Sequence, residues 1–108
     1  MNELEHKILV HLKNHHRGSL NAITFKALSM ELHINSRELR NLVAEMVTAG
    51  ELIASSQDGY FYIINDEEYQ LAHDELISRI KKLSRRAKGL RTGYKLKQEV
   101  KPKQLQLI

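Results

Sequence analysis

Cysteine is absent from all 108 residues, which excludes disulfides, thiolate nucleophiles and cysteine-ligated zinc. No stretch approaches the roughly eighteen consecutive apolar residues of a membrane-spanning helix, and no basic-then-apolar leader opens the chain. A cytoplasmic protein with no membrane partner is therefore expected. Also missing are a glycine-rich phosphate loop, a nucleophile elbow and carboxylates paired for acid–base work, since Glu67 and Glu68 read as acids at a helix start. The expectation is a non-enzymatic protein without a cofactor. With 42% hydrophobic residues and no internal repeat or low-complexity tract, a chain this short builds one small core plus an appendage.

Acids are the last absence, and it is local. Residues 78–108 hold eleven Lys/Arg against Glu99 alone, whereas residues 1–77 hold six Lys/Arg against twelve Asp/Glu, although the whole chain carries only +4. The first segment is thus net −6 and the second net +10. Phosphate neutralisation dominates non-specific affinity for nucleic acid, so the acidic first part is expected to bind it poorly by itself.

Within that acidic part, apolar residues recur at helical spacing. Leu4, Ile8, Leu9 and Leu12 define a helix over about residues 3–15 that ends before Arg17-Gly18, and Ser19 to Ala22 form a connector or short strand. Thr24 can cap a helix over Phe25 to Leu32, and His33-Ile34-Asn35 form a short turn. Asn35 can accept from first-turn amides with Glu38 reaching back, and Leu39, Leu42, Val43 and Met46 form an inward stripe that Gly50 terminates. The opposite face is Arg37, Arg40, Asn41, Ala44 and Thr48. Two β-rich runs, Leu52 to Ala54 and Tyr60 to Ile64, flank Asp58-Gly59, read as a type I′ turn.

Helix, connector, helix, helix, hairpin is the order of the winged helix-turn-helix superfamily, which residues 3–64 resemble. The run Ser36-Arg37-Glu38-Leu39-Arg40 is similar to the lead of the recognition helix in small winged-helix proteins of phages and prophages. That resemblance implies an α+β fold of three helices plus a β-hairpin wing over residues 1–65, and DNA as the partner. Arg37, Arg40 and Asn41 would meet bases or phosphates, Arg pairing with guanine and Asn with adenine, and Ser36 would serve as helix cap or phosphate contact. On the wing, Ser55, Ser56, Gln57 and Tyr60 would touch the backbone or minor groove, although the tip lacks the usual Arg or Lys.

Asn65 and Glu68 repeat the capping pattern before a long basic helix over residues 66–93. Tyr69, Ala72, Leu76, Ile80, Leu83, Ala87 and Leu90 mark a seam that a small head cannot cover, since a helix from Asp66 to Leu90 spans roughly 35–40 Å. Either a homodimer pairs this seam or the distal helix orders on nucleic acid or protein. Arg79, Lys82, Arg85 and Arg86, with no acids to pair them in the helix, are candidate phosphate contacts. Gly89 and Thr92-Gly93 are expected to end the helix and leave a flexible basic tail over residues 94–108. Its last five residues are similar to the peptide by which bacterial proteins dock on the DNA polymerase sliding clamp, Gln-Leu-x-Leu-Phe. Gln104, Leu105 and Leu107 match, and Ile108 stands in the aromatic position. The resemblances together imply a role in DNA replication or its control; a protein–protein adaptor and a dimeric transcription regulator are the alternatives.

Six histidines remain. His11 and His15 are spaced i, i+4 with His16 adjacent, and His73 is a further candidate, but three or four ligands are needed and no Cys or His-Asp-Glu cluster is evident in sequence. No metal site is expected, and His15 and His16 read as helix-end residues interacting with the dipole.

Overall fold

Polar caps set where the first three helices begin. In the computed structural model, which describes residues 1–100, α1 (Glu3–His15) opens on a closed capping box: Glu5 N donates to Asn2 Oδ1 at 2.8 Å and Asn2 N to Glu5 Oε1 at 3.1 Å. Thr24 Oγ1 accepts from Ala27 N at 3.2 Å to start α2 (Phe25–Leu32), and Asn35 accepts from Arg37 N and Glu38 N to start α3 (Ser36–Thr48). Removing such a cap costs about 1 kcal/mol. α3 stops as the glycine predicts. Gly50, at φ 106°, lets Glu51 N donate to Met46 O and Gly50 N to Val47 O, both at 3.0 Å, in a Schellman motif. Between α2 and α3 the left-handed residue is His33, at φ 56° and ψ 43°.

The inward stripes of these helices meet. Ile8, Leu9 and Leu12 from α1, Leu28 and Leu32 from α2, and Leu39, Leu42, Val43 and Met46 from α3 form one core with Ile23, Ile34, Ile53 and Tyr60. Full burial of each large aliphatic side chain contributes about 1.5–3 kcal/mol.

Strands β1 (Ile53–Ser56) and β2 (Gly59–Tyr62) pair antiparallel with Ile53 opposite Tyr62 and Ser56 opposite Gly59. The two-residue turn is therefore Gln57-Asp58, a correction to the Asp58-Gly59 turn that the dipeptide suggests. Gly59 supplies positive φ (117°) at the start of β2, beside the Ile23-Thr24 backbone. Ile23 and Tyr60 exchange backbone bonds of 2.9 and 2.7 Å, and Tyr62 is bonded to His16 O and Gly18 N. The connector is accordingly neither plain loop nor regular strand: a 3-10 turn, Ser19–Asn21, lies between two single-residue bridges to β2. Alternation along the hairpin sends Ile53 and Tyr60 to the main core and Ala54 and Phe61, with Ile63, to a second cluster against Ala22 and Ala72.

Helix α4 (Asp66–Val100) begins where Glu68 N donates to Asn65 Oδ1 at 2.8 Å. The Glu68 carboxylate reaches back beyond the cap residue: it accepts from Ile64 N at 3.0 Å and from Ser19 N at 2.8 Å. The bond to Ser19 N is the main reason its pKa lies below the ordinary carboxylate value, with burial opposing it and the bond from Ile64 N adding to it. These ties carry the first compact unit to His73, past the boundary expected at residue 65. The second unit starts at Asp74. Its helix does not end at residue 93 but runs through Gly93 to Val100, so residues 94–100 are not tail. Glycine costs a helix about 1 kcal/mol, and here Lys95, Leu96, Lys97, Gln98 and Glu99 follow with no proline before Pro102. Among the described residues the architecture is α+β, four α-helices with one two-stranded hairpin. Among the described residues, no helix is long and apolar enough to cross a membrane.

Candidate nucleic-acid interface

Because Leu39, Leu42, Val43 and Met46 face the core with Val47 partly buried beside them, the opposite face of α3 is turned outward, and Arg37, Arg40, Asn41, Ala44 and Thr48 are all exposed. Ser36, the first helical residue, is half-buried, and the cap itself is Asn35. The Arg40 guanidinium lies over the ring of Phe25, 4.0 Å from its centroid. Phe25 is the first residue of α2 and is 38% exposed. An arginine stacked on an aromatic face is restricted in rotamer while its charge stays at the surface.

Arg40 and Phe25 form one side of a cleft of about 480 Å³ between the start of α2, α3 and the hairpin tip, lined also by Thr24, Ser55, Ser56, Gln57, Gly59 and Tyr60. The structure thus brings Arg40, Gln57 and Tyr60 together; Arg37 and Asn41 share the exposed face of α3 without lining the cleft. Tyr60 is not a free wing contact. It is only 8% exposed and belongs to the main core, because alternation in β2 turns it inward. Burial raises its pKa, with the Arg40 charge pulling the other way, so the phenol stays neutral. Ser56 Oγ accepts from Asp58 N and donates to Gly59 O, which commits this hydroxyl to the turn. Phe25 and Thr24 are the residues that sequence reasoning misses. Phe25 precedes Leu28 by a helical step of three, so periodicity gives no sign that its ring lies at the surface.

On α4, Arg79, Lys82, Arg85 and Arg86 are exposed. Arg79 has a partner: its Nη2 lies 2.6 Å from Glu75 Oε1. That corrects the expectation that no acid pairs this group, since Glu75 stands one turn ahead in the favourable Glu-to-Arg i, i+4 order. Leu76, Ile80, Leu83, Leu90 and Tyr94 are also exposed. The clamp-like residues Gln104, Leu105, Leu107 and Ile108 lie outside the described residues.

The histidines end up in an arrangement that helical spacing does not anticipate. The rings of His11, His15 and His16 have centroids 5.0–6.2 Å apart, and Glu31 of α2 approaches them, its Oε2 2.8 Å from His11 Nε2. Compared with known protein families, with curated proteins and with solved structures, the chain matches none.

Proposed function

We propose that residues 1–73 form a winged helix-turn-helix that binds double-stranded DNA without catalysing a reaction, α3 entering the major groove and the hairpin acting as its wing. The observation that carries this reading is the Arg40 side chain stacked on Phe25 at the edge of the cleft between α3 and the hairpin tip. Arg37 and Asn41 extend the same exposed face. Arg40 and Arg37 read guanine acceptors or hold phosphates, and Asn41 pairs with adenine. Ser36, Ser55 and Gln57 add backbone contacts, and Tyr60 supports the cleft from below.

Affinity comes chiefly from α4. Lys82, Arg85 and Arg86 neutralise phosphates, and Arg79 does so by exchanging Glu75 for a phosphate oxygen. Leu76, Ile80, Leu83, Ala87, Leu90 and Tyr94 keep heptad spacing, which favours a two-copy pairing, but Arg79, Arg86 and Arg91 occupy its flanks and repel one another across such a seam. Pairing of two copies is therefore coupled to phosphate binding. The setting is DNA replication or its control, supported by the phage-like helix lead and by the clamp-like peptide Gln104 to Ile108, whose deletion would abolish capture by a sliding clamp.

Fluorescence anisotropy of the full chain across a salt series tests the reading. Replacing Arg37 and Arg40 by Ala is expected to cost about 1–3 kcal/mol in a sequence-dependent way. Replacing Lys82, Arg85 and Arg86 by Gln is expected to flatten the salt slope by about 0.9 per lost phosphate contact. If the Arg37/Arg40 variant binds every duplex as tightly as the parent, the head is a protein–protein adaptor instead, a reading that the net charge of −4 over residues 1–73 supports.

A further inference from the structure

Three metal-ligating side chains that DNA binding does not use converge where α1 ends. His11, half-buried on the last turns of α1, has its Nε2 2.8 Å from Glu31 Oε2 on α2. His16 caps the helix at φ −133° and ψ 53°, outside helical geometry, and its ring turns back to a centroid distance of 5.2 Å from that of His11. His16 Nδ1 lies 2.8 Å from the carbonyl oxygen of Asn21. A neutral imidazole bonded this way donates from Nδ1 and leaves Nε2 unprotonated, the state that binds metal ions. His16 Nε2 is buried and meets no hydrogen-bond partner. His11 Nε2 is buried too, and despite its closeness to Glu31 it is not aligned for a hydrogen bond. Two buried nitrogens thus face inward with their lone-pair or N–H capacity unused, a costly state in a folded protein. Donor atoms of His11, His16 and Glu31 all lie within 4.8 Å of one another.

We propose that His11, His16 and Glu31 bind a divalent first-row transition metal ion, zinc in the first instance, through two imidazole nitrogens and one carboxylate oxygen. Two nitrogens and one oxygen suit zinc and its neighbours and do not suit calcium, magnesium or thiophilic copper(I). Zinc bonds of about 2.0–2.2 Å place tetrahedral ligands roughly 3.4 Å apart, so side-chain shifts of about 1 Å close the site. The Asn21 carbonyl is the outer partner that such a histidine needs to hold its tautomer and orientation. The fourth position belongs to water, because Glu31 brings the site to the exposed edge of α2. The ion would fasten the end of α1 to α2, and folding would be linked to its concentration.

The test adds zinc chloride to the metal-free full chain and follows thermal unfolding and calorimetric binding at neutral pH. One equivalent is expected to bind, to raise Tm by at least about 4 °C at saturation and to be released by a chelator. Glu31→Gln and His16→Gln are each expected to weaken zinc binding at least about tenfold, whereas His73→Gln leaves it unchanged. Glu31 is exposed, so its substitution answers the question even if His16→Gln fails to fold, as circular dichroism would report. No Tm shift at 100-fold excess of about micromolar protein overturns the proposal, as does binding that survives Glu31→Gln undiminished.

Discussion

The guanidinium carbon of Arg40 sits 4.0 Å from the centre of the Phe25 ring, joining the first residue of α2 to the outer face of α3. An arginine already confined in this way loses less side-chain freedom when it meets a base or phosphate. Phe25→Leu keeps an apolar residue at the position and removes the ring face. DNA affinity is expected to fall about two- to fivefold, matching the roughly 0.5–1 kcal/mol of an exposed cation–π contact. Anisotropy on the parent's preferred duplex checks it, and equal affinity would show that the stack does not organise Arg40.

Gly50 and Gly59 share positive φ, at 106° and 117°, yet they differ in surroundings. A β-carbon at Gly50 would meet nothing within 4 Å, whereas one at Gly59 would stand 2.0 Å from the Ile23 carbonyl oxygen. Gly50→Ala is expected to cost about 1–2 kcal/mol, the left-handed penalty alone. Gly59→Ala adds a backbone collision and is expected to cost more than about 3 kcal/mol by breaking the Ile23–Tyr60 bridge. Urea unfolding of the two variants side by side measures the difference; equal costs would refute the close approach.

That contrast also marks how far local pattern reading reaches. The three helices of the head are legible because each start depends on a side chain and amides within a few residues of it, and each stripe repeats along one helix. Gly59 is different. Its requirement comes from Ile23 and Thr24, far away in the chain, so the Asp58-Gly59 pair is misread as the turn itself. Phe25 obeys the helical step and is still exposed, because it stands at the helix's first residue, beyond the reach of the core. His16 forms its closest relations only after leaving helical geometry, which a count of i, i+4 neighbours passes over. Glu75 escapes notice as the partner of Arg79 because it lies just ahead of the point where the charge balance reverses. Tyr60 alternates as a strand residue must, but which face of the hairpin meets the core is decided by tertiary packing.

Glu68 links the start of α4 to the 3-10 turn through Ser19 N and Ile64 N. Hydrogen bonding to the charged form holds its pKa below the ordinary value. A depressed folded-state pKa contributes stability that is complete above the unfolded-state value of about 4.3 and is lost as pH falls through the lower folded value. Glu68→Gln is expected to lower Tm at pH 7, and the gap to the parent should be narrower at an acidic pH below the unfolded-state value of about 4.3. Scanning calorimetry at the two pH values decides it, and a gap that does not narrow in acid would mean the contribution is not that of the carboxylate charge.

From Asp74 to Glu99 every residue of α4 is exposed, so this part of the helix rests on intrinsic propensity rather than on packing. Gly89 and Gly93 are its weak points, and a β-carbon at either would meet nothing within 4 Å. Gly89→Ala and Gly93→Ala are each expected to favour the helix by about 1 kcal/mol. Far-UV ellipticity at 222 nm should strengthen while the unfolding midpoint of the head stays put. If the basic helix is the phosphate anchor, ordering it beforehand reduces what binding must spend in entropy, and DNA affinity should rise by up to about fivefold per substitution. A stronger helical signal without tighter binding would instead separate the helical order of α4 from its role on DNA, leaving its cations to act from a chain of any conformation.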